Sequence, residues 1–481
     1  MGRAEERARR RRREQKKRAR RKQIRRTLII LLLIAAATAI VIAMVQGRKK
    51  RQQERLAKEA EIAAEEQALA DKRALISAAD QLAAGYDYDG AIELLQSQSD
   101  YDIDMDLTNA IAEYTASRTN MEAKDTTSVS HLCFGSMISD TSRAFSSVLS
   151  PETLNSINAT GTTVAEFNTI LQNMYDNGYV LVRMEDLITV TEDEEGNRVL
   201  SKNTALMMPL DKKPYVISVN DWSCPIAQDG MGLTGRAVVD DDGTIRSAVS
   251  YDADAETGAY DFVSCLNAFM EEHPDGAYRG ARGTLGISGS EGVLGYRTAS
   301  AYETGEGLTS TQQSWLDAHP DYDRNEEIAA ATAAASAIRE SGWTFAYRSY
   351  NNASIGYNDI ETAREDFALW QSEVEPIVGE VNTMIFVDGS DIGDWHLYDK
   401  EEDEVFAYYK DAGIDFYLTV DVSSEYWIQL TDDYLRMGRI PCNGYQMWNV
   451  ISGDSDYNVF ENFFDVTSVF DSERRTPINA V

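Results

Sequence analysis

Between Thr27 and Gly47 the chain carries no charged side chain, and Leu28–Val45 is almost wholly apolar. At ~1.5 Å per residue, a helix over this run is about 31 Å long, enough to cross a bilayer's hydrocarbon core. This feature fixes a helix there and divides the chain into two flanks with different surroundings. Residues 1–26 hold fifteen Lys/Arg and three Glu, a net of +12, and since the whole chain is −33 the rest carries −45. Beyond the span, Arg48, Lys49, Lys50 and Arg51 form a smaller basic cluster. The positive-inside rule then predicts a cytoplasmic tail over 1–26, a transmembrane helix over 27–46 and everything later outside the cell membrane, in a single pass. A cleaved signal would have a shorter apolar stretch followed by small residues, whereas Ala35–Ala39 lies mid-span. The basic tail reads as a topogenic signal that touches anionic lipid, and no nucleic-acid partner is expected.

Residues 47–120 read as a helical stalk. The stretch 48–75 is rich in Ala, Glu, Lys, Gln and Arg and lacks Gly and Pro, so the helix should continue. Leu75–Leu95 repeats apolar residues at three- and four-residue steps, broken at Gly85–Gly90, and Leu107–Ala116 supplies a further helix. Leu82, Tyr88, Ala91 and Ile92 give the hairpin a resemblance to one tetratricopeptide-type repeat. Such repeats bury their faces against neighbours, so a lone one serves either as a stalk or as a protein-docking site over 75–118.

From Asp125 onward short apolar runs alternate with helical stretches. Strands are expected at His131–Met137, Tyr179–Val182, Tyr215–Val219, Thr284–Ser288, Trp343–Tyr347, Thr383–Val387 and Phe416–Val420, then within Tyr426–Leu430 and Gly438–Asn443. Helices fall at Val164–Asn177, Tyr260–Glu272, Asn325–Glu340, Ile360–Val378 and Glu402–Ala412. Alternation of this kind implies parallel strands joined by crossovers, here an α/β fold: a distorted (β/α) barrel of about seven strands over 125–481. Ile188–Lys202 and Arg236–Ser250 read as inserted β-hairpins. Cys133, Cys224, Cys265 and Cys442 contain no C-x-x-C spacing. A Cys133–Cys442 bridge between the first and last strands is one of the connectivities left open.

The residues at strand ends carry a resemblance. KKPYVISVNDW (212–222), YRGARGTLGISGSEGVLGYRT (278–298), GWTFAYRSYNN (342–352) and EVEPIVGEVNTMIFVDGSDI (373–392) resemble segments of the polysaccharide deacetylase family. This is the NodB-homology domain of carbohydrate esterase family 4, here in a membrane-anchored form covering about 129–470. The resemblance implies a divalent metal such as zinc, held by one Asp and two His, with a second Asp as base. Matched position by position, the metal-binding Asp is Asp221, the base falls on Asn220, and the two His fall on Arg348 and Asn352. The third motif's Pro-aromatic-Gly becomes Val387-Asp388-Gly389. An amide is no base at neutral pH, and a guanidinium repels a metal ion. The four histidines, His131, His273, His319 and His396, fall outside the matched motifs.

The expectation is therefore a catalytically impaired domain with no metal and no cofactor, binding a cell-envelope polysaccharide or peptidoglycan, or a protein partner. Trp222, Arg348, Tyr350, Asp388 and Asp391 are the candidate substrate-binding residues, with Trp395 and Trp448 as further flat faces for sugar rings. Arg348 either ties to Asp221 or grips a carboxylate or phosphate. Asp388, Asp391 and Asp394 form an acidic run that calcium could use. Two alternatives remain: an active deacetylase with a nonstandard site centred on Asp221, Asp388 and Asp391, and a scaffold acting through the stalk.

Overall fold

The computed structural model describes residues 2–222, 224–251, 255–455 and 457–481. It divides into two compact units, Met1–Ser77 and Ala78–Val481. Residues Gly2–Ala84 form one α-helix, α1. By length and composition it can cross a membrane. Its apolar run is fully uncovered, with Leu28, Leu31, Leu32, Leu33 and Ile40 all exposed.

In the second unit seven strands line up in chain order: β1 (Ser130–Phe134), β2 (Lys213–Val219), β3 (Thr284–Ile287), β4 (Thr344–Tyr347), β5 (Thr383–Ile385), β6 (Phe416–Val420) and β7 (Leu435–Pro441). Each pairs in parallel with the next. The ring closes where Ile440 and Pro441 of β7 register with Leu132 and Cys133 of β1. The short strand Tyr179–Leu181 also pairs with β2, through Lys213–Tyr215. One edge of β2 is filled by β1, so this strand and β3 share the other edge, and the barrel wall splits there. Ile428–Leu430 pairs antiparallel with β7.

The crossovers are helical because their sequences carry helix signals. In α4 (Val164–Asp176), Thr163 and Glu166 form a reciprocal capping box. Asp261 and Asp359 cap α5 (Phe262–Glu272) and α7 (Ile360–Glu373), and α6 (Arg324–Glu340) lies between them in the chain. Side chains of a strand alternate between faces, and here they separate two apolar layers. Leu132, Phe134, Ile217, Leu285, Phe345, Met384, Tyr417 and Ile440 face the helices. Val216, Ala346, Ile385, Phe416, Leu418, Leu435 and Met437 fill the barrel interior.

Several boundaries differ from the sequence expectation. The strand expected over His131–Met137 stops at Phe134, and Met137–Ile138 pairs separately with Thr162–Thr163. The helix expected over Ile360–Val378 ends at Glu373, and Glu375–Val378 forms a separate turn containing Pro376. Proline lacks the amide hydrogen and disfavours helical geometry in the preceding residue. The last strand starts at Leu435 rather than Gly438. The two inserted hairpins are present as Ile188–Glu192 with Arg198–Lys202 and as Ala237–Val239 with Ile245–Ala248.

All four cysteines are buried free thiols. Cys133 and Cys442 are strand neighbours, the Cys442 amide donating to the Cys133 carbonyl at 2.8 Å. A bridge fails on parity. Pro441, not Cys442, is the register partner of Cys133, so the two side chains lie on opposite faces of the wall.

The end of α1, α2 (Tyr88–Gln96) and α3 (Met105–Thr119) bury Ala79, Ala83, Ala91, Leu95, Leu107 and Tyr114. The corner between α1 and α2 docks on the segment before β3. Arg279 N donates to Gly85 O at 2.8 Å, Tyr86 Oη donates to Asp275 O at 2.8 Å, and Arg279 pairs with Asp87 at 3.1 Å. The hairpin therefore sits at the N-terminal end of the strands.

Candidate functional site

At the C-terminal end of the barrel the inward positions turn from apolar to polar. Above the Val216, Ala346 and Met437 layer, the period-two alternation places His131 and Cys133 of β1, Ser218 of β2 and Arg439 of β7 inside. Asn220 and Asp221 follow β2, Ser288 follows β3 and Arg348 follows β4. Functional groups of β/α barrels collect at this end.

These groups form one network. The Arg439 guanidinium donates from Nε to Thr419 O at 3.0 Å and from Nη1 to Asn220 Oδ1 at 2.8 Å and Ser218 Oγ at 3.3 Å. His131 Nε2 lies 2.8 Å from Ser218 Oγ. Burial holds the His131 imidazole well below its ordinary pKa, and the Arg439 cation adds to the effect, so the ring is neutral. Asp221 Oδ2 accepts from Ser288 N at 3.3 Å and from the Ser288 hydroxyl. Arg348 Nη1 donates to Asn352 Oδ1, while its Nε is buried without an acceptor among the described residues. Burial pushes Arg348 below its ordinary value, and the charges of Asp221 and Asp388 oppose that. Burial likewise lowers Arg439; Cys133 opposes that and the neighbouring Arg348 reinforces it. Gly286 on β3 leaves room for this arrangement. A Cβ there would lie 2.5 Å from Asn220 O and 3.1 Å from both Arg348 Cδ and Ile385 Cδ1.

The other sequence candidates are dispersed. Asp388 is exposed at the end of β5 with φ 55°, and it accepts from Ser354 Oγ at 3.3 Å. Asp391 is buried and turned to Arg436, whose Nε donates to it at 2.9 Å, and the Tyr398 hydroxyl also donates to it. Burial raises the Asp391 pKa against the opposing Arg436 charge. Tyr398 and Trp427 stack on Arg436 at 4.6 and 4.9 Å. The Asp388, Asp391 and Asp394 run is thus not gathered into a cation site, and no group of three His, Cys, Asp or Glu assembles among the described residues. Trp222 is only 3% exposed and packs in the outer core layer. Tyr350 is also in the core, its amide donating to Asp366 at 2.6 Å and its hydroxyl to Glu373 at 2.9 Å. Trp448 lies on the helix Gly444–Ser452 against Phe470. Among the described residues, the exposed aromatics after these strands include Trp395 (69%), after β5, Tyr357 (74%), after β4, and Tyr426 (44%), after β6.

The zinc implied by the resemblance does not fit this donor set. Asp221 offers a carboxylate, but Arg348 stands where a ligand histidine would, and Arg439 adds a second guanidinium beside Asn220. His131 is inside the barrel but faces Ser218 and Arg439. His273 packs on Tyr175 and Phe269, His319 on Trp315 and His396 on Trp395. Sequence reasoning missed Ser218, Gly286, Ser288 and Arg439 as members of the network. Alternation from Leu435 would have found Arg439, because Leu435, Met437 and Arg439 share one face.

No protein-family model matches the chain, and no curated protein matches it. Among solved structures, the deacetylase PplD of Streptococcus pyogenes, in complex with acetate, is similar at 10% identity and a TM-score of 0.31 over 66% of this chain and 93% of that one. A polysaccharide deacetylase from Bacillus cereus is similar at 13% identity and a TM-score of 0.32 over 66% of this chain and 65% of that one. At these values neither likeness assigns an activity.

Proposed function

We propose that the chain is a single-pass, membrane-anchored protein whose extracytoplasmic barrel binds a cell-envelope glycan such as peptidoglycan without hydrolysing it. The observation that carries this reading is the guanidinium of Arg348 at the end of β4, with Arg439 beside it, in the place where the resemblance calls for metal ligands. Beside the carboxylate of Asp221, two guanidinium groups and an amide repel a metal ion rather than complete its shell, whereas the Arg348 guanidinium can donate to sugar oxygens. Trp395 and Tyr357 support the reading, since they present flat faces on loops at the same end. The uncharged run of α1 and its basic N-terminal flank support an anchor with the tail inside.

Binding of soluble peptidoglycan fragments to the purified full chain tests it. Trp395→Ala and Tyr357→Ala should each weaken binding about tenfold while the melting temperature holds, by the usual worth of a stacked ring. Unchanged affinity in both variants would count against the barrel mouth as the glycan site. Release of acetate from the fragments would overturn the non-hydrolytic reading.

A further inference from the structure

The interior end of the barrel holds more buried positive charge than negative. Arg439 is fully buried and Arg348 is half-buried beside it, while Asp221 is the carboxylate among the described groups of the same layer. Asn220 is neutral, His131 is buried in its neutral form, and Asp388 stands exposed at the rim. Arg439 has Nε and Nη1 committed to Thr419, Ser218 and Asn220. Arg348 has Nη1 on Asn352, but its buried Nε has no acceptor among the described residues. A buried N–H without an acceptor is costly, and guanidinium is the side chain best shaped for a carboxylate or phosphate. Gly286 keeps the space beside Arg348 clear, because even a methyl group there would press on Arg348 Cδ at 3.1 Å.

We propose that the barrel mouth is an anion subsite receiving a carboxylate or phosphate oxygen of the bound glycan. Arg348 makes the direct bond and Arg439 supplies the second positive charge behind it. The subsite rests on the glycan-binding reading above and names its ligand chemistry: an acidic sugar unit or a sugar phosphate.

Isothermal titration of the full chain in detergent at low salt tests this with four probes: glucuronate, inorganic phosphate, glucose and soluble peptidoglycan fragments. Glucuronate or phosphate should bind at least tenfold more tightly than glucose, and Arg348→Gln should remove that preference, a loss of about tenfold or more for a charge-assisted bond. The stronger of the two anions identifies the source as carboxylate or phosphate. Asp388→Asn is exposed and keeps a residue that tolerates φ 55°, so the fold should hold. It removes a neighbouring negative charge and should raise anion affinity about threefold. Equal binding of glucose and both anions, or an affinity that falls in Asp388→Asn, would overturn the subsite. If fragments bind with no dependence on Arg348, the subsite falls and the glycan reading stands. If the anions bind through Arg348 and fragments do not bind at all, the glycan reading falls and the anion site stands. Binding of none of the four overturns both.

Discussion

Replacing Gly286 with alanine adds a single methyl group on β3, facing the ends of β2 and β4 and Ile385 of β5. The new Cβ would lie 2.5 Å from the Asn220 carbonyl oxygen and 3.1 Å from Arg348 Cδ and Ile385 Cδ1. The carbonyl is backbone at the end of β2 and cannot swing aside as a side chain can. Two effects oppose each other. Gly→Ala at a position that needs no left-handed backbone stabilises by about 0.4–1 kcal/mol, through the entropy of the unfolded chain. Overpacking a filled interior costs about 1–3 kcal/mol. The clash wins, and the net destabilisation should be about 1–2 kcal/mol. Tryptophan fluorescence during urea unfolding reads this cleanly, since all seven tryptophans, from Trp222 to Trp448, lie in the second compact unit. The methyl group should also displace Arg348, so ligand affinity should fall in the folded variant. Equal or greater stability for Gly286→Ala would refute the reasoning, because the barrel would then have room that this packing denies it.

The neutral, buried His131 makes stability depend on pH. The unfolded chain takes up its proton near the ordinary pKa of 6.5 and the folded one does so only far lower, so this contribution is complete above about 6.5 and is lost as pH falls, by up to about 1.4 kcal/mol per unit. His131→Asn should flatten the stability difference between pH 6.5 and 5.5 relative to the parent; parallel curves would contradict the assignment. The Glu166–Arg474 pair is fully buried, with Arg474 also bonded to the carbonyls of Asn158 and Gly161. Arg474→Met strands the Glu166 charge and should cost about 3–5 kcal/mol in urea unfolding, and adding Glu166→Gln should recover part of it. Protease added outside intact cells should digest the region beyond residue 47 and spare a tag on residue 2; digestion of the tag would contradict the proposed orientation.

The barrel was legible because most wall strands are short apolar runs, and helix caps such as Thr163, Asp261 and Asp359 mark the crossovers between them. The last strand was read three residues short for a physical reason. Arg436 and Arg439 make Leu435–Pro441 look like a loop, yet both are buried, one by its pair with Asp391 and the other by Asn220 and Ser218. Pro376 breaks the helical pattern within Ile360–Val378. At the site, the sequence placed Asn220, Asp221 and Arg348 at strand ends but could not separate aromatic core from aromatic rim. Trp222 and Tyr350 pack inward, while Trp395 and Tyr357 remain outside. Nor could it show that Asp391 turns away to Arg436, or that Arg439 returns from the end of the chain to stand beside Asn220. The Arg439–Asn220 contact depends on closure between β7 and β1, which joins residues about 300 positions apart.

We propose that two guanidinium groups stand at the barrel mouth where the resemblance calls for metal ligands. Zinc titration of the chelator-stripped full chain, followed by calorimetry and elemental analysis, tests it most directly. No tight site is expected in the parent chain or in Asp221→Asn. A one-to-one zinc complex lost in Asp221→Asn would contradict it, because Arg348 and Arg439 would then have to leave the positions that define the site.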